Sequence, residues 1–196
     1  MIFSSPKDSQ QIAKLIKKGA IGVFPTDTVY AIGCSAFDEK AIKKIFQIKK
    51  RPVNKSLQVH IHDLSQLKMF VDYIPECATK IIDKYWPGPI TIVFKSKKEL
   101  YLKYITTSNQ TIAIRFPDCD AEKIIMKQAN HPLVAPSANT SGKKPALNIN
   151  EAFSYFGEKV DFYYDAGPAK TREVSTIIDA TKENLKIIRQ GSISLF

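Results

Sequence analysis

Ala20-Ile-Gly-Val-Phe-Pro25-Thr-Asp-Thr-Val-Tyr30-Ala-Ile-Gly-Cys-Ser-Ala36 carries the fold in miniature. Residues 20–25 form an unbroken apolar run of the buried-strand type, and Pro25, which has no N–H for a ladder, stops it. A polar turn follows, and the chain resumes in extended or irregular form from Val29 to Ala36. Asp38 then stands at a helix N-cap, with Ile42, Ile45, Phe46 and Ile48 as the core-facing positions. Upstream, Asp8 to Lys18 reads as a helix with Ile12, Leu15 and Ile16 on one face and Gly19 closing it. Downstream, the same vocabulary repeats. Strands are expected at Ser56–Ile61, Ile90–Lys95, Thr111–Phe116, Leu133–Pro136, Phe162–Asp165, Ser175–Asp179 and Leu185–Arg189. Helices are expected after Asp63, over Pro75–Tyr85, after Asp118 and over Asn150–Phe156. Interleaved helices and strands, with adjacent strands late in the chain, predict an α/β (mixed α+β) fold: one domain over residues 1–196, a twisted mixed sheet covered by helices.

Composition narrows the field. The 196 residues are 44% hydrophobic and 24% charged, enough apolar content for a core and against wholesale disorder. No apolar run nears the roughly 18 residues of a membrane span, and the N-terminus lacks the pattern of a secretory signal. Cys34, Cys77 and Cys119 are widely spaced, against a disulfide framework and a zinc site. A reducing, cytoplasmic setting is the expectation. Lys+Arg number 29 against 19 Asp+Glu, a net charge of +10 that suits an anionic partner. Lysine on solvated surfaces accounts for most of it. Arginine stands only at Arg51, Arg115, Arg172 and Arg189, so a retained arginine suggests a need for its planar fork.

The polar groups of interest sit where strands end, the usual place for ligands in open sheets. Thr26-Asp-Thr28 either turns the chain or holds a ligand. Lys49-Lys-Arg-Pro-Val-Asn-Lys55 gathers cations that would repel one another unless an anion, such as a polyphosphate, sat among them. His60 reads as a structural histidine in an alternating strand. Arg115, in an otherwise apolar strand with Thr111 and Ala113 on its face, needs a carboxylate partner. The protein and a ligand are equal sources for it. Ser137, Asn139 and Ser141 precede Gly142 in a loop able to wrap phosphate or ribose, or simply to turn. Ser175 opens one late strand and Arg189 closes another. No nucleophilic triad, metal-ligand spacing, P-loop or dinucleotide fingerprint is present.

Together and in this order, these pieces resemble the Sua5/YrdC/TsaC family of threonylcarbamoyl-AMP synthases. The matching stretches are Pro25-Thr-Asp-Thr-Val-Tyr30, Lys49-x-Arg51-Pro52, Lys55-x-Leu57, Trp86-Pro-Gly-Pro-Ile-Thr91, Ile114-Arg-Phe-Pro117, Pro136-Ser-Ala-Asn-x-Ser-Gly142, Ser175-Thr-Ile-Ile-Asp179 and Arg189-x-Gly191, from about residue 10 to residue 193. The resemblance implies a sheet around a large basic cavity. It also implies a nucleotidyl transfer in which ATP, bicarbonate and L-threonine give threonylcarbamoyl-AMP and pyrophosphate. That product feeds the t6A modification of tRNA through downstream transfer proteins. By the same resemblance, Lys49, Arg51, Lys55, Thr111, Ser137, Asn139, Pro145 and Arg189 line the ATP side. Thr28, His60, Arg115, Ala135 and Ser175 line the threonine side, with Arg115 taking its anion from the threonine carboxylate. Mg²⁺ would accompany ATP, no protein metal site is expected, and no residue stands out as a general base. Ala31, Ser56, Pro145 and Gln190 depart from the family's usual residues, and the chain corresponds to the single-domain form. The competing readings are an RNA-binding module on the same fold, with only weak tRNA binding expected of the enzyme, and a paralogue that is not a synthase.

Overall fold

The computed structural model describes residues 1–98, 100, 102 and 104–195. Along them run β1 (Ile2–Phe3), α1 (Ser9–Lys17), β2 (Gly22–Phe24), β3 (Ala31–Ser35), α2 (Glu39–Lys49), β4 (Val59–His60), α3 (Glu76–Tyr85), β5 (Ile90–Lys95) and β6 (Thr111–Arg115). Then come α4 (Asp120–Ala129), β7 (Leu133–Val134), α5 (Ile149–Phe156), β8 (Phe162–Tyr164), β9 (Thr176–Asp179) and β10 (Lys186–Arg189). The helix expected after Asp63 is a 3₁₀ segment, Leu64–Met69, whose Ser65 N–H donates to the Asp63 carboxylate. Asp38 caps α2 by accepting from the Ala41 N–H at 2.9 Å, and Lys50 ends it in the left-handed conformation at φ 50°.

The strands form one mixed sheet in the order β1-β8-β2-β3-β7-β4-β6-β5-β9-β10. The late hairpin is real for β9 and β10, which pair antiparallel. β8, however, leaves that neighbourhood and lies between β1 and β2, parallel to both. β1 itself is too short for any alternation to announce it. The strand expected over Ser56–Ile61 shrinks to Val59–His60, because its flanks make single backbone bonds, Leu57 N–H to Tyr104 and Ile61 N–H to Arg115, rather than a continuous ladder.

Register explains where a site can form. Val134, Val59, Ile114, Ile92 and Ile178 are successive cross-strand partners, so they share one face. That face is apolar throughout and packs into the large core with α2, α3 and α5, where Ile42, Ile45, Phe46, Ile82 and Phe156 are buried. One residue along each strand, the partners are Leu133, His60, Arg115, Thr91 and Ile177, on the opposite face. The first part of this second face belongs to a smaller core. Phe3, Phe24, Leu133, Phe162 and Tyr164 pack there against Ile12 and Ile16 of α1 and Ile125 and Met126 of α4. Over β4, β6 and β5 the row turns polar, with His60, Arg115 and Thr91. Among the described residues, no helix is long and apolar enough to cross a membrane.

Candidate active site

Above that polar part of the sheet lies an open cavity of about 650 Å³. Its floor is His60, Ala113, Arg115 and Ile177, and its walls come from the loops at the strand ends: Thr26 and Thr28 to Ala31, Arg51, Ser56 and Gln58, Ala135 to Ser137, Val174 and Ser175, and Arg189. Of the residues assigned to ligands in sequence, the cavity brings together Thr28, Arg51, His60, Arg115, Ala135, Ser137, Ser175 and Arg189.

Arg115 is almost fully buried, and its partner is in the protein. Nη2 donates to Asp27 Oδ1 at 2.5 Å, Nη1 to Thr28 Oγ1 at 3.1 Å and Nε to the Gly88 carbonyl at 3.2 Å. Folding therefore does not depend on a ligand carboxylate to balance this charge, contrary to the expectation that threonine supplies the missing anion. Arg189 clamps Ser175, its Nη2 donating to the carbonyl at 2.7 Å and to Oγ at 3.2 Å. Ser175 Oγ in turn lies 2.8 Å from Thr91 Oγ1. Arg51 holds its own loop, donating from Nε to the Lys55 carbonyl and from Nη2 to the Ser56 carbonyl. Burial lowers the pKa of Arg51, and burial followed by repulsion from Arg115 and Arg51 lowers that of Arg189. Among the described residues no carboxylate lines the cavity, and while Asp27 balances Arg115, the guanidiniums of Arg51 and Arg189 bond only carbonyl and hydroxyl oxygens, so the cavity suits an anion.

His60 is fully buried, with Nδ1 2.6 Å from Oε1 of an equally buried Glu122 on α4. Among the described residues its Nε2 has no hydrogen-bond partner, and His60 is one of the residues that line the cavity. The strand reading of His60 as a structural histidine was half of the matter: one ring nitrogen is held by Glu122, and the other has no partner among the described residues.

Five assigned residues do not line the cavity. Lys49 is buried behind it, its Nζ donating to the Ser137 carbonyl at 2.5 Å and the Asn139 carbonyl at 2.7 Å. Asn139 turns inward on its own loop, donating to the Thr140 and Lys143 carbonyls while its Oδ1 accepts from Ser137 Oγ at 2.6 Å. Both shape the loop that presents Ser137. Lys55 is exposed, Pro145 is half-buried, and Thr111 sits at the far end of β6, where its hydroxyl meets that of Thr107 at 2.7 Å. Of the departures, Ala31 and Ser56 line the cavity, whereas Gln190 bonds the tail at Gly191 and Ile193.

Sequence reasoning gave no role to Gln58 or Glu122, and read Asp27 as part of a turn or ligand loop rather than as the partner of Arg115. Gln58 hid in an apolar alternation, yet its amide holds the Ala135 carbonyl at 2.9 Å. Glu122 did leave a signal. It stands at i, i+3, i+4, i+7 with Ile125, Met126 and Ala129, a carboxylate in the buried stripe of α4.

The Sua5–YciO–YrdC family model, described as telomere recombination, matches residues 14–191. The chain belongs to that family. A threonylcarbamoyl-AMP synthase of Pyrococcus abyssi is 35% identical over 183 residues, covering 93% of this chain and 54% of that protein. The threonylcarbamoyl-AMP synthase of Bacillus subtilis is 32% identical over 184 residues, covering 94% of this chain and 53% of that one. The chain thus spans about half the length of the curated relatives it matches. The crystal structure of P. abyssi Sua5 complexed with L-threonine superposes with a TM-score of 0.91 at 30% identity, covering 97% of this chain and 57% of that one. Family membership and the mixed-sheet fold agree with what the motifs implied.

Proposed function

We propose that the protein is an L-threonylcarbamoyladenylate synthase, a nucleotidyltransferase that converts ATP, bicarbonate and L-threonine to threonylcarbamoyl-AMP and pyrophosphate for tRNA t6A modification. The observation that carries this reading is one cavity with Arg51, Arg115 and Arg189 in its lining and no lining carboxylate among the described residues. Such a site needs anions, and the reaction brings two kinds: a triphosphate and an amino-acid carboxylate. Threonine as a substrate is supported by the L-threonine complex of the P. abyssi relative, and in this reading Thr28, His60, Arg115, Ala135 and Ser175 hold it. Arg51, Ser137 and Arg189 take the nucleotide, Lys49 and Asn139 shape its loop, and Lys55, Thr111 and Pro145 touch it only if they move toward the cavity. A carbamate oxygen attacks the α-phosphate while pyrophosphate leaves, and the arginines neutralise the charge that develops. Mg²⁺ would arrive on the triphosphate. Among the described residues no group of three or more His, Cys, Asp or Glu is placed to hold a metal ion, and the lining offers it hydroxyls rather than carboxylates. We place the protein in the cytoplasm, where its three free thiols would stay reduced.

Mixing the protein with ATP, Mg²⁺, bicarbonate and threonine should release pyrophosphate and yield the adenylate, with no turnover when threonine or bicarbonate is omitted. ATP hydrolysis indifferent to threonine would exclude the assignment.

A further inference from the structure

We infer that Glu122 orients His60 so that its Nε2 serves as the base that deprotonates the substrate ammonium. The inference rests on the synthase reading and names the proton acceptor that reading lacks.

The geometry is a carboxylate–imidazole couple at the floor of the cavity. Glu122 Oε1, 2.6 Å from Nδ1, accepts the Nδ1 proton and fixes the tautomer, which leaves the lone pair on Nε2. Both side chains are fully buried, so neither competes with water for this bond. Nε2 is buried and has no partner among the described residues, and His60 is one of the residues lining the cavity, so Nε2 is the ring atom left for a ligand donor. Arg115 is the register partner of His60 on β6, and its charge is balanced by Asp27. The other titratable groups packed nearby are Asp27, held by Arg115, and Cys119, whose thiol burial and then Glu122 push up to about 11. His62, two residues along, bonds Gln66 instead.

The step balances without a further reagent. Nε2 takes one proton from the threonine ammonium. The freed amine attacks the bicarbonate carbon, an N–C bond forms and a C–O bond breaks. The departing hydroxide takes a second proton from nitrogen and leaves as water. Threonine carbamate remains, and His60 returns its proton to solvent.

Two variants and one spectrum test this. In the resting protein, nitrogen-15 NMR of the imidazole should show Nδ1 protonated and Nε2 bare, and Glu122→Gln should mix the tautomers. Adenylate synthesis should fall about 100-fold in His60→Gln, at the low end of general-base contributions, and about tenfold in Glu122→Gln, as for loss of an orienting partner. In both variants ATP binding, read by calorimetry, should be unchanged. The deficit of His60→Gln should shrink as pH rises toward the range where the free amine of threonine is deprotonated in solution, a recovery that a packing defect would not give. An imidazolium protonated on both nitrogens at neutral pH would overturn the inference. So would a pH-independent loss accompanied by equal use of threonine and its analogue lacking the hydroxyl, which would put Nε2 on that hydroxyl. A wild type that makes no adenylate removes the synthase reading and this inference with it. An active wild type with unchanged variants removes this inference alone.

Discussion

Asp27 and Arg115 are 88 positions apart in sequence and meet in a nearly dry place, where an unpaired ion would be very costly. Asp27→Ala should cost about 3 kcal/mol of stability by denaturant unfolding, because it strands the guanidinium. Adding Arg115→Met to that variant should return much of the loss while leaving threonine unbound. If the single change is silent, the pair is not a buried charge couple. Arg115→Lys keeps the charge and loses the fork, so calorimetry should show weakened threonine binding with ATP binding nearly unchanged. Lys49 poses a different electrostatic problem. Burial, with Arg51 adding to it, lowers its pKa from 10.5 to about 7. The neutral amine still has two N–H groups, matching the two carbonyls of the Ser137–Asn139 loop. Between pH 7 and 10.5 the unfolded chain holds a proton that the folded protein has shed, so this site makes stability rise with pH across that window and is flat below it. Unfolding curves measured on either side of pH 7 should show that rise in the wild type and lose it in Lys49→Met. Parallel pH dependences in the two proteins would mean Lys49 stays charged.

Lys49 and Arg51 also show how elements decide roles that spacing cannot. Both are basic and lie two apart, but the left-handed turn at Lys50 separates them: Lys49 ends α2 behind the Ser137 loop, and Arg51 emerges into the cavity. A sequence displays the pair and not the turn, so it suggests two phosphate ligands where the fold provides one and a brace. Strands with four or more alternating or apolar residues, such as β5 and β6, were legible because their partners bury them on a period of two. β1 was not, nor were the bounds of β4 inside the expected Ser56–Ile61, since register against distant strands alone defines them. Asp27 could not be matched to Arg115, nor Glu122 to His60, for the same reason. The C-terminal tail carries a further element-level constraint. A Cβ on Gly191 would lie 2.2 Å from the Val174 carbonyl oxygen and 2.5 Å from the Thr176 nitrogen, against the start of β9. Gly191→Ala should push the tail off that edge and draw Arg189 away from Ser175. Losing charge-assisted bonds of this type predicts about tenfold weaker ATP binding. The thermal midpoint should move little, because the main core lies on the other face. Unchanged ATP affinity would show that the tail does not set Arg189.

At the scale of the molecule, the net charge of +10 has two sources with different consequences. Arg51, Arg115 and Arg189 concentrate part of it in the cavity, where low exposure strengthens the field acting on a ligand. Lysines such as Lys14 and Lys17 on α1, and Lys40, Lys43 and Lys44 on α2, spread the rest over exposed surface. The second population will attract any polyanion, RNA included, and counterion release makes that attraction fall steeply with salt. An RNA-binding module on this fold would instead read its ligand through the cavity loops. The two cases diverge in the double variant Arg51→Ala, Lys55→Ala, which removes one cavity cation and one exposed neighbour. If the cavity serves the adenylation, adenylate formation should be abolished while RNA affinity drops only in proportion to two lost charges. Filter binding of tRNA beside an unrelated duplex should then show no preference at about 0.15 M salt, where surface charges are screened within roughly 8 Å. If RNA is the true ligand, a tRNA preference persists at that salt and the double variant loses it. The unequal placement of the charges favours the first outcome: Arg51, Arg115 and Arg189, which could discriminate a ligand, line a cavity on the sheet, whereas Arg172 and lysines such as Lys14, Lys17 and Lys43 face open solvent, where discrimination is weakest.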